Sequence, residues 1–103
     1  MHALENNKLK INIKQIGAEL CNIEAVKNNT RFMWDANPAV WSSFAPNLFP
    51  IIGALKHDTY IFENQKYKLP KHGFIRNNKA IKLLEQTPNS LTFGLSYSEE
   101  SLI

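Results

Sequence analysis

Leu9-Lys10-Ile11-Asn12-Ile13-Lys14 alternates apolar and polar residues without interruption. A period of two sets Leu9, Ile11 and Ile13 on one face and the polar residues on the other, the pattern of a half-buried strand. Ile16-Gly17 breaks the run. Ala18 to Val26, with Leu20, Cys21, Ile23 and Val26, reads as a second strand with mixed faces. Lys27-Asn28-Asn29-Thr30 is a turn signal, and Arg31-Phe32-Met33-Trp34 begins another extended piece. Residues near 3 to 34 therefore predict a β-meander, with no helical period of useful length.

The later runs repeat the theme. Thr59-Tyr60-Ile61-Phe62 and Gln65-Lys66-Tyr67-Lys68-Leu69 flank Glu63-Asn64, a tight hairpin whose turn has no Gly. Ala80 to Gln86 and Ser90 to Ser96 flank Thr87-Pro88-Asn89 and predict a second hairpin. The first of those two runs has helical features, but its length and flanks favour a strand. Ser98, followed by Glu99 and Glu100, reads as a helix start with no length left for a helix. The chain thus reads as one that stops in mid-element, a fragment of a longer polypeptide.

Asp35 to Pro50 is a connection of another kind. It carries Pro38, Pro46 and Pro50, and the aromatics Trp34, Trp41, Phe44 and Phe49 lie in or beside it. Pro38 suits the first position of a short helix capped by Asn37. So many large apolar side chains need burial. Such a loop either packs over one end of a sheet, the simpler reading, or walls a ligand cleft.

With 103 residues the chain suits one domain, and 44% hydrophobic with 20% charged residues is ordinary globular composition. A chain of this size can bury a modest core. Twelve Lys and Arg against nine Asp and Glu give +3, spread along the sequence with no dense basic block. That argues against a nucleic-acid partner. Cys21 stands alone, so no internal disulfide forms, and no Cys/His spacing suits zinc. A reducing cytoplasm fits, and no segment reads as a signal peptide or a membrane span. The sequon Asn28-Asn29-Thr30 is then a chance match.

The chemistry gathers in Leu69-Pro70-Lys71-His72-Gly73-Phe74-Ile75-Arg76. Pro70 suits the end of an edge strand or a turn. Gly73 lets the backbone bend or another group approach. If Phe74 to Arg76 are extended, even spacing brings His72 and Arg76 to one side, where imidazole and guanidinium offer hydrogen bonds to hydroxyl or phosphate oxygens. His2 is terminal and idle in this reading. His57 lies in an exposed polar turn, and Cys21 is a small buried apolar residue. A His and an Arg near a strand end are more often structural than catalytic. No Ser-His-Asp set, phosphate loop or carboxylate pair stands out. Residue types alone end at a soluble, mostly β domain with one polar cluster.

Several stretches together resemble the aldose 1-epimerase (galactose mutarotase-like) family, and within it the bacterial LacX-like branch. They are Gly17 to Leu20, Met33 to Trp41, Ala45 to Gly53 with its Phe-Pro-x-x-Gly piece, and Leu69 to Arg76 with Leu-Pro-x-His-Gly-Phe-x-Arg. The resemblance implies an all-β antiparallel sandwich, here a partial one with at most one or two short helices. Residues 1–103 would be the N-terminal part of that domain. It implies an isomerase that interconverts anomers of an aldose or a sugar phosphate, without a cofactor or metal. A carboxylate base takes the anomeric proton, a histidine acid protonates the ring oxygen, and the opened ring closes on its other face. By resemblance, the base and the main acid lie beyond Ile103. His72 matches a substrate-contacting histidine, Arg76 an arginine that binds sugar hydroxyls or phosphate, and the loop with Trp41 helps shape the cleft. Relatives commonly carry an arginine where Ala54 stands. Lys56 replaces its charge but not its bidentate geometry.

Three expectations follow. The first is an epimerase portion inactive by itself. The second is a non-catalytic carbohydrate-binding β-domain built on His72, Arg76 and the tryptophans. A nucleic-acid-binding β-domain is a distant third. Open sheet edges predict self-association.

Overall fold

The computed structural model describes residues 1–96. The helix-start signal at Ser98 lies outside them. Seven strands follow in order: β1 (His2–Glu5), β2 (Leu9–Lys14), β3 (Glu19–Ala25), β4 (Thr59–Phe62), β5 (Gln65–Lys68), β6 (Lys82–Thr87) and β7 (Ser90–Gly94). All pairings between these strands are antiparallel, and one isolated bridge, Phe49 to Gly73, is parallel. β1, β2 and β3 form a meander, and β4–β5 and β6–β7 are separate hairpins. Two 3-10 turns, Ile16–Ala18 and Lys56–Asp58, are the helical pieces among the described residues. The all-β antiparallel class that the resemblance implied is what forms among the described residues.

The local reasons match the residues. Asn6 accepts the N–H groups of Lys8 and Leu9 on its side-chain oxygen and turns β1 into β2. Asn28 does the same for Thr30 after β3. Glu63 and Asn64 take φ of 48° and 64°, the paired left-handed conformations of a two-residue hairpin turn. The Pro88-Asn89 turn is closed by hydroxyls, with Thr87 Oγ1 2.6 Å from Ser90 Oγ.

Some expectations need correction. Arg31 to Trp34 forms no strand; Arg31 makes one backbone bridge to Glu24, and the chain then leaves the sheet. Pro38 opens a single turn, not a helix. Asn37 does cap it: its side chain accepts from Ala39 N–H at 3.0 Å and its carbonyl accepts from Val40 and Trp41. Phe74 to Arg76 are a turn, not extended backbone. The cause is the Asn77-Asn78 pair. Asn77 sits at φ 58°, and Asn78 donates from its side chain to Phe74 O at 2.7 Å and from its backbone to Ile75 O. Even spacing therefore says nothing about the relative orientation of His72 and Arg76.

The core is thinner than the chain length suggests. The molecule measures 57 × 34 × 16 Å, a slab. Its buried apolar side chains among the described residues are Cys21, Ala36, Leu69 and Ile81. Cys21 is 2% exposed, as its strand pattern predicts.

Candidate functional site

Two long segments build the site, the connection through residues 43–53 and the turn through residues 69–78. They are laced by main-chain bonds. Phe49 N donates to His72 O, Phe74 N to Phe49 O at 2.9 Å, and His72 N to Gly53 O at 2.8 Å. Gly73 makes this approach possible. Its φ is 78°, and a Cβ there would lie on the Phe49 carbonyl. The Phe49–Pro50 peptide is cis. Phe49 and Phe74 meet edge to face with ring centres 6.0 Å apart. The base of the turn is tied to the meander, where Gly17 N donates to Asn78 O at 2.9 Å.

Glu19 holds the other end of the connection. It lies in phase with Cys21 on the buried face of β3 and is 1% exposed. One carboxylate oxygen is 3.3 Å from Lys14 Nζ. The other accepts the backbone N–H groups of Phe44 at 2.6 Å and Ala45 at 3.2 Å. Asn47 reinforces the anchor by donating to Gly17 O and Ala18 O. Glu19 thus spends both carboxylate oxygens on structural partners. Residue types alone did not mark it for this work. The available signal was a carboxylate on the apolar phase of a strand.

The four expected ligand contacts fall into two groups. Arg76 is half-buried and donates from Nη2 to Ser43 Oγ at 3.3 Å. Ser43 is itself buried, and its carbonyl accepts from Trp34 Nε1 at 3.0 Å. Trp34 stacks on Trp41 with ring centres 6.0 Å apart and planes 13° off parallel. Trp41 remains 47% exposed, so one indole presents open surface. Ser43 therefore links Arg76 to the tryptophan pair, a role the sequence reading missed.

His72 belongs to the second group. Its φ is 70°, and its Nδ1 lies 2.5 Å from Ile52 O. A carbonyl only accepts, so Nδ1 carries the proton. In the neutral ring Nε2 then accepts hydrogen bonds, and it donates only when the ring is charged. No hydrogen bond joins His72 and Arg76 among the described residues. Lys56 is exposed in its 3-10 turn, three residues past Gly53, with no side-chain partner among the described residues. His57 is exposed, as expected. His2 bonds Gln15 at 3.0 Å and meets Phe93 edge on.

The group around Ser43 offers a guanidinium and an exposed indole face. It suits oxygen-rich ligands more than cations. Among the described residues no three His, Cys, Asp or Glu side chains meet in a way that holds a metal ion. No helix among them is long and apolar enough to cross a membrane.

Comparison with known proteins adds the wider frame. No family model matches the chain. The plasmid-borne LacX protein of Lactococcus lactis subsp. lactis is 34% identical across 96% of this chain and 34% of its own length. The chromosomal LacX of the same organism matches to the same extent. Among solved structures, a galactose mutarotase related enzyme from Lactobacillus acidophilus superposes with a TM-score of 0.89 at 40% identity, over 97% of this chain and 33% of that one. A galactose mutarotase-like protein from Lactobacillus casei gives 0.84 at 31% identity, over 90% of this chain and 31% of its own. The chain spans about a third of the length of the curated relatives it matches.

Proposed function

The chain belongs to the galactose mutarotase-like family, in the LacX-like branch, and from this premise we propose that it supplies the sugar-binding wall of an aldose 1-epimerase-like isomerase. The observation that supports this is the lacing of residues 43–53 to the turn at residues 72–76, with Arg76 linked through Ser43 to the Trp34–Trp41 stack and the His72 ring fixed on Ile52 O. Arg76 donates to sugar hydroxyls, and the exposed face of Trp41 packs against the C–H face of the ring. His72 Nε2 accepts from a hydroxyl, or donates to a ring or hydroxyl oxygen when charged. Lys56 brings a cation to the cleft near Ala54, where relatives commonly carry an arginine.

Anomer exchange needs an acid and a base on opposite sides of the anomeric carbon. Glu19 is already committed to Lys14, Phe44 and Ala45. In this reading the base and the main acid come from polypeptide outside these residues, and the chain by itself binds without turning over. The same commitment favours a second reading, a carbohydrate-binding domain with no catalysis.

Backbone NMR titration with glucose and galactose tests the shared part. Millimolar sugar is expected to shift His72, Arg76, Trp41 and Lys56, and polarimetry is expected to show no faster mutarotation. Clear acceleration by this chain would defeat the division of labour, and silence at all four residues would defeat both readings. A chimera in which the chain replaces the matching third of the Lactobacillus acidophilus relative separates them. Accelerated mutarotation supports the isomerase, and sugar binding without acceleration supports the binding domain.

A further inference from the structure

Among the described residues the Arg76 guanidinium has one hydrogen-bonding partner, Ser43 Oγ, which accepts from Nη2 at 3.3 Å. Its Nε is buried without an acceptor. The ion pair among those residues is Lys14–Glu19, so no carboxylate there holds the guanidinium. An arginine side chain fixed at one atom depends on that atom for its direction, because its several rotatable bonds otherwise carry rotamer entropy that a ligand must remove. How well this guanidinium is aimed therefore depends on how firmly Ser43 stands.

Ser43 stands firmly. It is 7% exposed, and its own carbonyl accepts from Trp34 Nε1 at 3.0 Å. The next two residues, Phe44 and Ala45, give their N–H groups to the buried carboxylate of Glu19, and Ala45 bridges to Leu20 of β3. Asn47 ties the same loop to Gly17 O and Ala18 O. The Arg76 turn reaches the sheet by a separate route, the bond from Gly17 N to Asn78 O. Two independently anchored segments thus meet where Ser43 Oγ receives Nη2. A hydroxyl is neutral, so it aims a guanidinium without cancelling its charge as a carboxylate would.

We infer that Ser43 is a positioning residue: its hydroxyl sets the direction of the Arg76 guanidinium, and its carbonyl separately holds Trp34. The assignment rests on the sugar-binding reading only for what the aimed guanidinium then meets. Changing the side chain removes the hydroxyl and leaves the carbonyl, so the two roles come apart in an experiment.

NMR of the 103-residue chain tests this first without any ligand. In Ser43→Ala the Arg76 Nε–H resonance is expected to shift and its nitrogen relaxation to report a freely turning side chain, while the Trp34 Nε1–H resonance stays in place. Ser43→Thr keeps the hydroxyl and is expected to restore the parent Arg76 signal. An Arg76 side chain as ordered in Ser43→Ala as in the parent overturns the inference. Joint displacement of Arg76 and Trp34 in Ser43→Ala also overturns it, because that marks a loop that has lost its packing. Titration with galactose then reads the consequence. Ser43→Ala is expected to bind the sugar about threefold to tenfold more weakly than the parent, the range of one hydrogen bond of this kind, and Ser43→Thr to bind it as the parent does. Equal affinity of Ser43→Ala and the parent for a sugar that shifts Arg76 overturns the positioning role. A parent chain that binds no sugar defeats the sugar-binding reading, and the positioning role then stands or falls on the ligand-free Arg76 signal.

Discussion

A carboxylate that is 1% exposed needs compensation, and Glu19 receives it from an ammonium and two main-chain N–H groups. Removing it leaves those two donors and Lys14 without their acceptor. Each buried group left unpaired costs about 1–3 kcal/mol. Glu19→Ala is therefore expected to destabilise the chain by about 2–4 kcal/mol in urea unfolding. It is also expected to loosen the Trp34–Trp41 stack, read as a shift in tryptophan emission. A variant within half a kcal/mol of the parent would show that the loop holds without this anchor. His72 shows another side of the residue scale. Pro70 and Gly73 suggested a strand end or a turn around it, but its ring is oriented by a carbonyl 20 positions away. Residue type identified the imidazole, and a distant neighbour selected which nitrogen faces outward.

The elements form where short-range chemistry is strong. β2 follows from its alternation, and the two hairpins follow from paired runs around two-residue turns. The Glu63-Asn64 turn is the weak one, because both residues hold positive φ and Glu is a poor choice there. Glu63→Asn with Asn64→Gly matches the turn's backbone and is expected to raise stability by about 0.5–1 kcal/mol. Unchanged or lower stability in urea unfolding would show that the side chain of Glu63 or Asn64 contributes something its hydrogen bonds do not reveal. The turn at residues 74–77 teaches the converse. Asn77-Asn78 was a turn signal in plain view, and its pull outweighed the apolar look of Phe74-Ile75.

As a whole the molecule is a slab 16 Å thick, too thin to enclose the apolar surface its sequence carries. Val40, Ile52 and Ile61 are each more than two-thirds exposed. Among the described residues β1 leaves an open edge, as do both strands of each hairpin, while β3 is covered in part by bridges to Ala45 and Arg31. Open edges and apolar faces drive association. The isolated chain is expected to scatter light as a species heavier than its 11.8 kDa, and Ile61→Lys on β4 is expected to shift it toward the monomer. A monodisperse monomer at high concentration would contradict this.

The sequence by itself determined the class and most of the strands, because alternation and Asn, Gly and Pro turn chemistry act over a few residues. It also located the His-Gly-Arg segment, through local composition and a resemblance spread along the chain. Only the tertiary structure decided what those residues face. The Glu19 bonds to Phe44 and Ala45 span 25 and 26 positions, and the bond from Arg76 to Ser43 spans 33. Partners that far apart leave no periodic trace, since their meeting depends on how several turns add up in space.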